Sequence, residues 1–494
     1  MNSRYKDDRI EGIWSNDNKV NLWQKTELAV IQARANLGII DENIFDQIHK
    51  CLLHQPIDIA WWLAKEEEVK HDLNAFLEER LRFLPLELQP YFHNGMTSYD
   101  TEESAFLQMI FDSIFVFDRH VEVLCEVLKT LALRYRYTIM NGRTHGQEAQ
   151  LQSFGKRCLT WLQSINLTSE YLIKARSTLR QSKLSGAIGN YGGLNHEVEK
   201  EALRILGFKP FYGATQIIPR ELFAPIAQAL CQLVLTLDKI AIDIRLGARS
   251  GRPIYQEPFG KKQKGSSVMP HKKNTISTEQ MKGMARMAKS RFLSIQENIE
   301  TWEERAIEQS CVERVEWPDL FHIAIHCLKT MIRVLGGLKV YPDNMLLEIE
   351  DSCGCYAAGE AKEFLRHRGA PFGLSTEDAY RIVQLSAFNA FEPEDWAQEM
   401  RNSPHISFKE ADNDFFFLRP RKKKEQMSIK EIITRRILQV SPQLEANQEC
   451  VDRWNNLLKT VFESHEAIIM WDTIFKPSYL LRGEETLYRE ILGE

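Results

Sequence analysis

A regular stripe of apolar residues between positions 104 and 135 constrains the fold of this chain more than any other feature of its sequence. Thr101, followed by Glu102 and Glu103, has the composition of a helix start. The apolar positions beyond it recur with a period of about 3.5 residues over more than three heptads, so one long helix with a narrow apolar seam is predicted. The seam residues are Leu107, Ile110, Ile114, Phe117, Val121, Leu124, Leu128 and Leu131.

Two further segments indicate helices of the same kind. One runs from about Ser277 to about Trp302, and the other carries an apolar stripe at Ile226, Leu230, Leu233, Leu237, Ile240 and Ile244. Long helices with narrow seams pack into bundles, and one subunit of this size does not bury them all. A nearly all-α, oligomeric protein is therefore expected. We predict an N-terminal helical domain (1–95), a central bundle (96–345) and a C-terminal helical domain (346–494).

Composition excludes several other classes of protein. A net charge of −5 argues against a general polyanion binder, and the nine cysteines contain no CxxC pair that would indicate structural zinc. No leader-like or membrane-spanning apolar run is visible, so a cytoplasmic protein without metal or membrane contact is expected. The basic run "RPRKKKEQ" at 419–426 is interpreted as a solvated loop, with nucleic-acid contact as the weaker alternative.

Five polar segments interrupt the helical pattern. Their similar chemical character and their positions at predicted helix ends indicate one common site. Ser266 and Ser267 lie in one of them, on a glycine-containing turn close to a helix start, where backbone N–H groups favour negative charge. A nucleotide-triphosphate loop is disfavoured, because GxxxxGK[ST] is absent and no strand precedes the turn. A solvated loop without a role is the other alternative. The segments are "KHD" (70–72), "HNGMTSYD" (93–100), "GRTHGQ" (142–147), "KGSSVMPHKKNTISTE" (264–279) and "WEERAIEQSCVER" (302–314).

The stretch "GSSVMPHKKNTISTE" resembles the signature GSSxMPxKxNxxxxE of the fumarase/aspartase superfamily. Further segments are similar, in the same order, to the adenylosuccinate lyase family, and the resemblance covers residues 4 to about 390. It implies a three-domain fold with a homotetrameric core of twenty helices, sites shared by three subunits, and no cofactor. The additional segments are Arg4-Tyr5, "HNGMTSYD", "GRTHGQ", "LSGAIGNYGG" (184–193), "ATQIIPRE" (214–221), "ERAIEQSCVER" (304–314) and "GLSTEDAYRIVQ" (373–384).

The resemblance also implies a reaction, the anti β-elimination of fumarate from a succinylated amine. Such a site needs a base for a weakly acidic C–H, an acid for the leaving nitrogen, and donors for a carboxylate that gains charge. By motif position, Ser266 is the expected base and His145 the acid. Glu279 is expected to orient His145, and Lys272 with Asn274 to bind the succinyl carboxylates.

The remaining matched positions would bind the rest of a succinylated purine nucleotide. Thr97 and Ser98 supply hydroxyl donors, and His71 positions the substrate, while the role of His93 is open. Gln216 and Arg220 are further substrate contacts. The expected phosphate and ribose ligands are Arg4, Tyr5, Arg305, Ser310 and Arg314, and the other predicted contacts are Lys70, Asp72, Thr144, Ser267 and Met269.

Departures from the family pattern leave alternatives open. Lys70 stands where an arginine is common, and Thr275 replaces a proline. Argininosuccinate lyase, aspartase, fumarase and carboxymuconate cycloisomerase are the rival activities, although none needs the phosphate set. An inactive scaffold built on the same bundle is the rival from another class. The resemblance implies cleavage of adenylosuccinate to AMP and fumarate, with the succinyl-aminoimidazole-carboxamide ribotide of purine biosynthesis as the expected second substrate.

Overall fold

The structure, a computed structural model, describes residues 1–391, 427–441 and 444–493. The basic run at 419–426 lies outside the described residues. In chain order, the helices before the central bundle are α1 (Asp8–Ile13), α2 (Asn16–Asn36), α3 (Glu42–Leu53), α4 (Ile59–Val69) and α5 (Asp72–Leu81). Then follow α6 (Ser98–Arg134), α7 (Phe154–Thr178), α8 (His196–Leu206), α9 (Ala224–Gly247), α10 (Ile276–Glu297) and α11 (Glu308–Gly336).

The rest of the described chain is helical as well, and short strands complete it. The helices are α12 (Pro342–Asp351), α13 (Ala358–Gly369), α14 (Thr376–Phe391), α15 (Ile429–Arg435), α16 (Gln448–Val461), α17 (His465–Ile474), α18 (Pro477–Leu480) and α19 (Glu484–Leu492). The strands form three two-stranded sheets: β1 (Ile139–Thr144) with β2 (Gln147–Ser153), β3 (Gln181–Ser182) with β4 (Lys209–Pro210), and β5 (Tyr255–Gln256) with β6 (Lys339–Val340). The predicted nearly all-α class is confirmed.

The apolar stripes are the buried faces of their helices, as predicted. Every seam residue of α6 from Leu107 to Leu131 is buried, and so is every stripe residue of α9 from Ile226 to Ile244. The α6 helix begins at Ser98, three residues before the predicted start. Asp100 explains the earlier start, because its Oδ2 accepts the backbone N–H of Thr97 at 2.8 Å and caps the first turn.

The described chain folds into two compact units. Unit 1 comprises residues 1–128, 161–249 and 256–339, and in it α10 packs against α9 and α11, while α2 packs against α8. By length and composition alone, the stretch Arg220–Gly247 of this unit would span a membrane, but 61% of its most apolar window is buried inside the protein. That burial is what a core helix of a bundle shows. The three-domain division stays a prediction.

Unit 2 comprises residues 129–160, 250–255 and 340–494 as far as the structure describes them. Its core is aromatic: the rings of Phe364 and Trp471 lie 5.1 Å apart, and Trp471 also packs against Phe462 and Phe475. The hairpin β1–β2 belongs to this unit and is antiparallel, with Thr144 paired to Gln147. The sequence had not predicted this hairpin.

Candidate active site

The signature loop presents Ser266 to backbone donors. Its Oγ accepts the N–H of Val268 at 3.3 Å and the N–H of Met269 at 3.1 Å. Two converging donors stabilise negative charge on an oxygen, so they favour the alkoxide form of a serine. The backbone of this loop therefore supplies part of what a serine base requires.

A close crossing of the chain holds the loop closed. A Cβ at Gly265 would lie 1.9 Å from the carbonyl oxygen of Lys272, so only glycine allows this approach. Asn274 secures the same crossing, because its Nδ2 donates to the Gly265 carbonyl at 2.8 Å. In this conformation Asn274 is a structural residue of the loop, whereas the side chain of Lys272 is exposed.

The N-terminus of α10 is occupied by the protein itself, which corrects one expectation. The carboxylate of Glu257 accepts the N–H of Ser277 at 3.1 Å and that of Thr278 at 3.2 Å, and Glu257 is buried. Two of the free N–H groups in the first turn of the helix are thereby used. The sequence had suggested that donors at the helix start would face Ser266. The structure shows that these donors come from the loop instead.

His71 and Ser98 approach each other from two helix starts. His71 caps α5: its Nδ1 accepts the N–H of Asn74 at 3.3 Å, which places the proton of the neutral ring on Nε2. This nitrogen lies 3.4 Å from Ser98 Oγ. The pair thus brings together two predicted site residues that are separated by 27 positions.

The segment before α6 is fixed by buried charges. Asp100 Oδ1 contacts Lys183 Nζ at 2.7 Å, and this ion pair is buried on both sides. His93 has a φ of 55° and places Nδ1 2.8 Å from the buried carboxylate of Glu27. Burial lowers the pKa of His93, but the hydrogen bond and the charge of Glu27 outweigh it and raise the pKa above its ordinary value. Glu27 therefore fixes His93 at the start of the segment that carries Thr97 and Ser98.

A cavity of about 250 Å³ opens in unit 1 beside these residues. Three predicted site residues line it: Asp72, Ser310 and Arg314. Arg314 Nη2 donates to Asp72 Oδ2 at 2.7 Å, and the guanidinium remains half-exposed. The other lining residues were not predicted as site residues, and they are Trp14, Asn16, Lys19, Trp23, Tyr99, Glu102, Phe106, Met109 and Glu313.

Arg305 belongs to the same region. Its guanidinium carbon lies 3.9 Å from the ring centroid of Tyr99, and its Nη1 donates to Gln216 Oε1 at 3.0 Å. Gln216 in turn donates to the carbonyl of Ala187 at 3.3 Å. The predicted contacts Arg305 and Gln216 are thus joined directly, on one wall with Tyr99.

Arg220 is placed differently from a substrate ligand. It is buried, its Nη1 donates to Glu103 at 2.9 Å, and its Nε donates to Glu313 at 2.9 Å. A guanidinium so enclosed supports the wall that Glu313 contributes to the cavity. The structure therefore assigns Arg220 a positioning role, in place of the predicted substrate contact.

Arg4 and Tyr5 lie elsewhere on the surface of unit 1. The Tyr5 ring packs edge-on against His326, with centroids 5.1 Å apart. His326 is twelve residues beyond Arg314 on α11, about 18 Å along the helix at about 1.5 Å per residue. One chain alone does not bring Tyr5 to Ser310 and Arg314.

His145 and Thr144 lie in unit 2, at the tip of the hairpin and not at a helix end. His145 and Gly146 form the two-residue turn, with φ values of 54° and 79°, as a type I′ turn requires. Both Thr144 and His145 are exposed. Arg143 braces the hairpin through Glu148 and Glu348, each at 3.2 Å.

The other predicted positions are exposed and carry few contacts. Lys70 ends α4 in the left-handed conformation with a φ of 55°. Glu279 lies in the first turn of α10, 3.4 Å from Thr275 Oγ1. Ser267 and Met269 are exposed in the signature loop. Within the ranges that the structure describes, no three His, Cys, Asp or Glu side chains gather as metal ligands.

Comparison with known proteins places this geometry in a family. A family model described as lyase matches residues 3–288. The adenylosuccinate lyase of Synechocystis sp. is 33% identical, with 80% of this chain and 90% of the relative covered. That of Aquifex aeolicus is 34% identical, with 79% and 89% covered. That of Pyrococcus abyssi is 32% identical, with 84% and 92% covered.

Solved structures share the fold. The fumarate lyase from Mesorhizobium sp. superposes with a TM-score of 0.71 at 23% identity, covering 95% of this chain and 98% of that one. The β-carboxy-cis,cis-muconate cycloisomerase from Acinetobacter calcoaceticus gives a TM-score of 0.69 at 18% identity, covering 95% and 97%. These likenesses concern the fold alone, while the match to the lyase model and the identities above 30% decide the family. The chain belongs to the adenylosuccinate lyase family of the fumarase/aspartase superfamily.

Proposed function

We propose that this protein cleaves adenylosuccinate to AMP and fumarate, and the succinyl-aminoimidazole-carboxamide ribotide in the same way. The observation that carries the proposal is the pair of backbone N–H groups directed at Ser266 Oγ in the signature loop. Removal of a proton beside a carboxylate needs a base stronger than a serine hydroxyl in water. The two N–H groups lower the cost of forming the alkoxide that can act as this base.

The remaining steps are assigned to the side chains that the family motifs predict. Ser266 takes the Cβ proton, and the electron pair moves toward the adjacent carboxylate, whose growing charge Lys272 neutralises. The C–N bond then breaks, and His145 gives a proton to the leaving nitrogen, which an imidazole can do near neutral pH. The motif assigns Glu279 the role of orienting His145. Thr97, Ser98 and His71 hold the succinyl part, with His71 Nε2–H near Ser98 Oγ.

A phosphorylated leaving group is favoured over those of the rival activities. Arg314 and Arg305 flank the cavity, and Arg314 keeps unused donors on its half-exposed guanidinium. Guanidinium groups bind phosphate through paired, charge-assisted hydrogen bonds. Argininosuccinate, aspartate and malate carry no phosphate, so they would leave these arginines without a ligand.

We infer that the working enzyme is a cytoplasmic homotetramer, with each site built by three subunits. Support comes from the separation of Tyr5 from Arg314 within one chain and from exposed apolar residues on the long helices, such as Phe115 and Val123 on α6 and Leu293 on α10. Apolar surface on bundle helices is typical of an assembly interface.

The direct test is fumarate formation. The purified protein is incubated separately with adenylosuccinate, the ribotide and argininosuccinate. Fumarate is expected from the first two and not from the third. Ser266→Ala should abolish this activity, whereas Ser290→Ala, an exposed serine on α10, should not change it. Fumarate from argininosuccinate alone, or an undiminished Ser266→Ala variant, would refute the proposal.

A further inference from the structure

The cavity beside Arg314 has one wall to which the proposed elimination assigns no residue. Its aromatic part is formed by Trp14, Trp23 and Phe106. Glu102 lies one helical turn before Phe106 on α6, and Lys19 one turn before Trp23 on α2, so both face the same space. A cavity with flat aromatic sides and a few polar groups is suited to a planar heteroaromatic ring.

Glu102 is the unpaired carboxyl of this wall. Its neighbours on α6 are engaged: Asp100 with Lys183, and Glu103 with Arg220. Asp72, opposite, is engaged with Arg314. The side chain of Glu102 makes no hydrogen bond and no ion pair to any residue that the structure describes. A carboxyl that lines a cavity without a protein partner is available to a ligand.

The charges around Glu102 favour its neutral form. Burial and, to a smaller extent, the carboxylate of Asp72 raise the pKa of Glu102 to about 8, against the opposing effects of Arg314, Arg305 and Lys19. Tyr99 and Glu313 also line the cavity, and burial raises the pKa of Tyr99 as well. Burial lowers the pKa of Lys19, whose Nζ lies 4.8 Å from the Trp62 ring centroid. At neutral pH the Glu102 carboxyl is thus mostly protonated.

A protonated carboxyl has a recognition pattern different from that of a carboxylate. It offers one O–H donor and one carbonyl acceptor side by side, whereas a carboxylate only accepts. It therefore pairs with a ring edge on which an acceptor nitrogen adjoins an N–H donor. The adenine edge, with N1 and the N6–H group, has this pattern, while the N1–H and N2–H edge of guanine would pair with a carboxylate.

We propose that Glu102 is a specificity-determining residue that recognises the donor–acceptor edge of an adenine-type ring held against the aromatic wall of this cavity. The inference rests on the proposed function for the identity of the nucleotide. Glu102 would contact the base, whereas the ligands predicted from the sequence contact the phosphate, ribose and succinyl groups.

Binding of AMP and of ribose 5-phosphate tests this inference without any turnover. In the wild type at pH 7, AMP should bind more tightly than ribose 5-phosphate. Glu102→Ala should weaken the binding of AMP about tenfold, which is the usual effect of losing hydrogen bonds in a buried site. The affinity for ribose 5-phosphate should stay unchanged. Glu102→Gln keeps a donor and an acceptor, so it should retain AMP affinity. Glu122→Gln, exposed on the same helix, is the control.

The pH dependence separates this role from a merely structural one. Glu102 loses its O–H as the pH rises through about 8, so wild-type AMP affinity should fall there, while that of Glu102→Gln should not. The inference would be overturned if Glu102→Ala lost affinity for AMP and ribose 5-phosphate equally, or for neither of them. It would also be overturned if the wild type bound neither ligand. If AMP binds as described but no fumarate is formed from adenylosuccinate, the proposed reaction fails and the ring recognition stands.

Discussion

Arg314 on α11 and Asp72 at the start of α5 form an ion pair at 2.7 Å, across 242 positions of sequence. Asp72 is buried, whereas the guanidinium is half-exposed. The pair fixes the orientation of Arg314 and leaves part of its fork of donors directed outward. An arginine oriented in this way is prepared for an anion before the anion arrives.

The first prediction concerns this arginine. Arg314→Ala should weaken AMP binding about tenfold to a hundredfold, because a charge-assisted hydrogen bond to phosphate is lost. Adenosine, which lacks the phosphate, should be affected far less. Titration calorimetry with both ligands measures the difference, and Arg119→Ala on exposed α6 surface serves as the control. Equal losses for AMP and adenosine would show that Arg314 does not hold phosphate.

The second prediction concerns the crossing at Gly265. Gly265→Ala would push a methyl group into the carbonyl of Lys272 and open the signature loop. Turnover should fall about a hundredfold, as expected when a reacting group is misplaced by an ångström, while the thermal unfolding midpoint should barely change. Gly260→Ala meets only ordinary contacts, the nearest at 3.7 Å, and is the matched control. Similar activities of the two variants would contradict the proposed geometry.

The third prediction separates the base from the acid. Ser266→Ala and His145→Ala should both bind adenylosuccinate and lose turnover by at least about 10²–10⁴-fold. In heavy water, His145→Ala should still exchange the Cβ proton of the substrate, because its base is intact, whereas Ser266→Ala should not. Mass analysis of the recovered substrate measures the deuterium taken up at Cβ and so distinguishes the two variants. Deuterium uptake by Ser266→Ala at the wild-type rate would remove Ser266 from the role of base.

The fourth prediction concerns stability. Arg220→Met leaves the buried carboxylates of Glu103 and Glu313 without their cation, so unfolding free energy should fall by about 3–5 kcal/mol in urea titrations. Burial already raises the pKa of Glu103. Loss of the Arg220 charge raises this pKa further. The folded variant therefore takes up a proton on Glu103 at a higher pH than the folded wild type, and the deficit of the variant should shrink as the pH falls. The exposed Arg204→Met is the control; a deficit independent of pH would argue against this account.

The fifth prediction concerns assembly. Sedimentation should show a tetramer, and mixing inactive Ser266→Ala with inactive His145→Ala after subunit exchange should restore measurable activity, since some shared sites then contain both intact residues. A monomer at working concentration, or mixtures that stay inactive after proven exchange, would contradict shared sites.

The sequence predicted the long helices well because their seams repeat over many turns. Each seam residue from Leu107 to Leu131 is buried, so many small packing contributions all favour the same long helix. The hairpin that carries His145 escaped prediction for the opposite reason. Its strand β2 reads "QEAQLQS" without β-branched residues, and the turn depends on two left-handed residues, of which only Gly146 is a common signal.

The cavity wall was missed for a different physical reason. Glu102 and Lys19 resemble solvated residues on amphipathic helices, which is what most such residues are. Their burial results from the meeting of α2, α6 and α11, a tertiary event with no local signal. The spacing of Tyr99, Glu102 and Phe106 on one face of α6 was the available hint. Likewise, that Glu257 caps α10 could not be read from residues twenty positions apart.

The capped start of α10 has a kinetic consequence. Glu257 neutralises the helix end. The long-range attraction of a multiply charged anion therefore comes from the exposed lysines that flank and form the signature loop. These lysines are Lys261, Lys262, Lys264, Lys272 and Lys273. The chain as a whole carries a net charge of −5 and repels such an anion. Diffusing substrate is thus guided toward the signature loop, and dissolved salt would slow its capture more than its conversion.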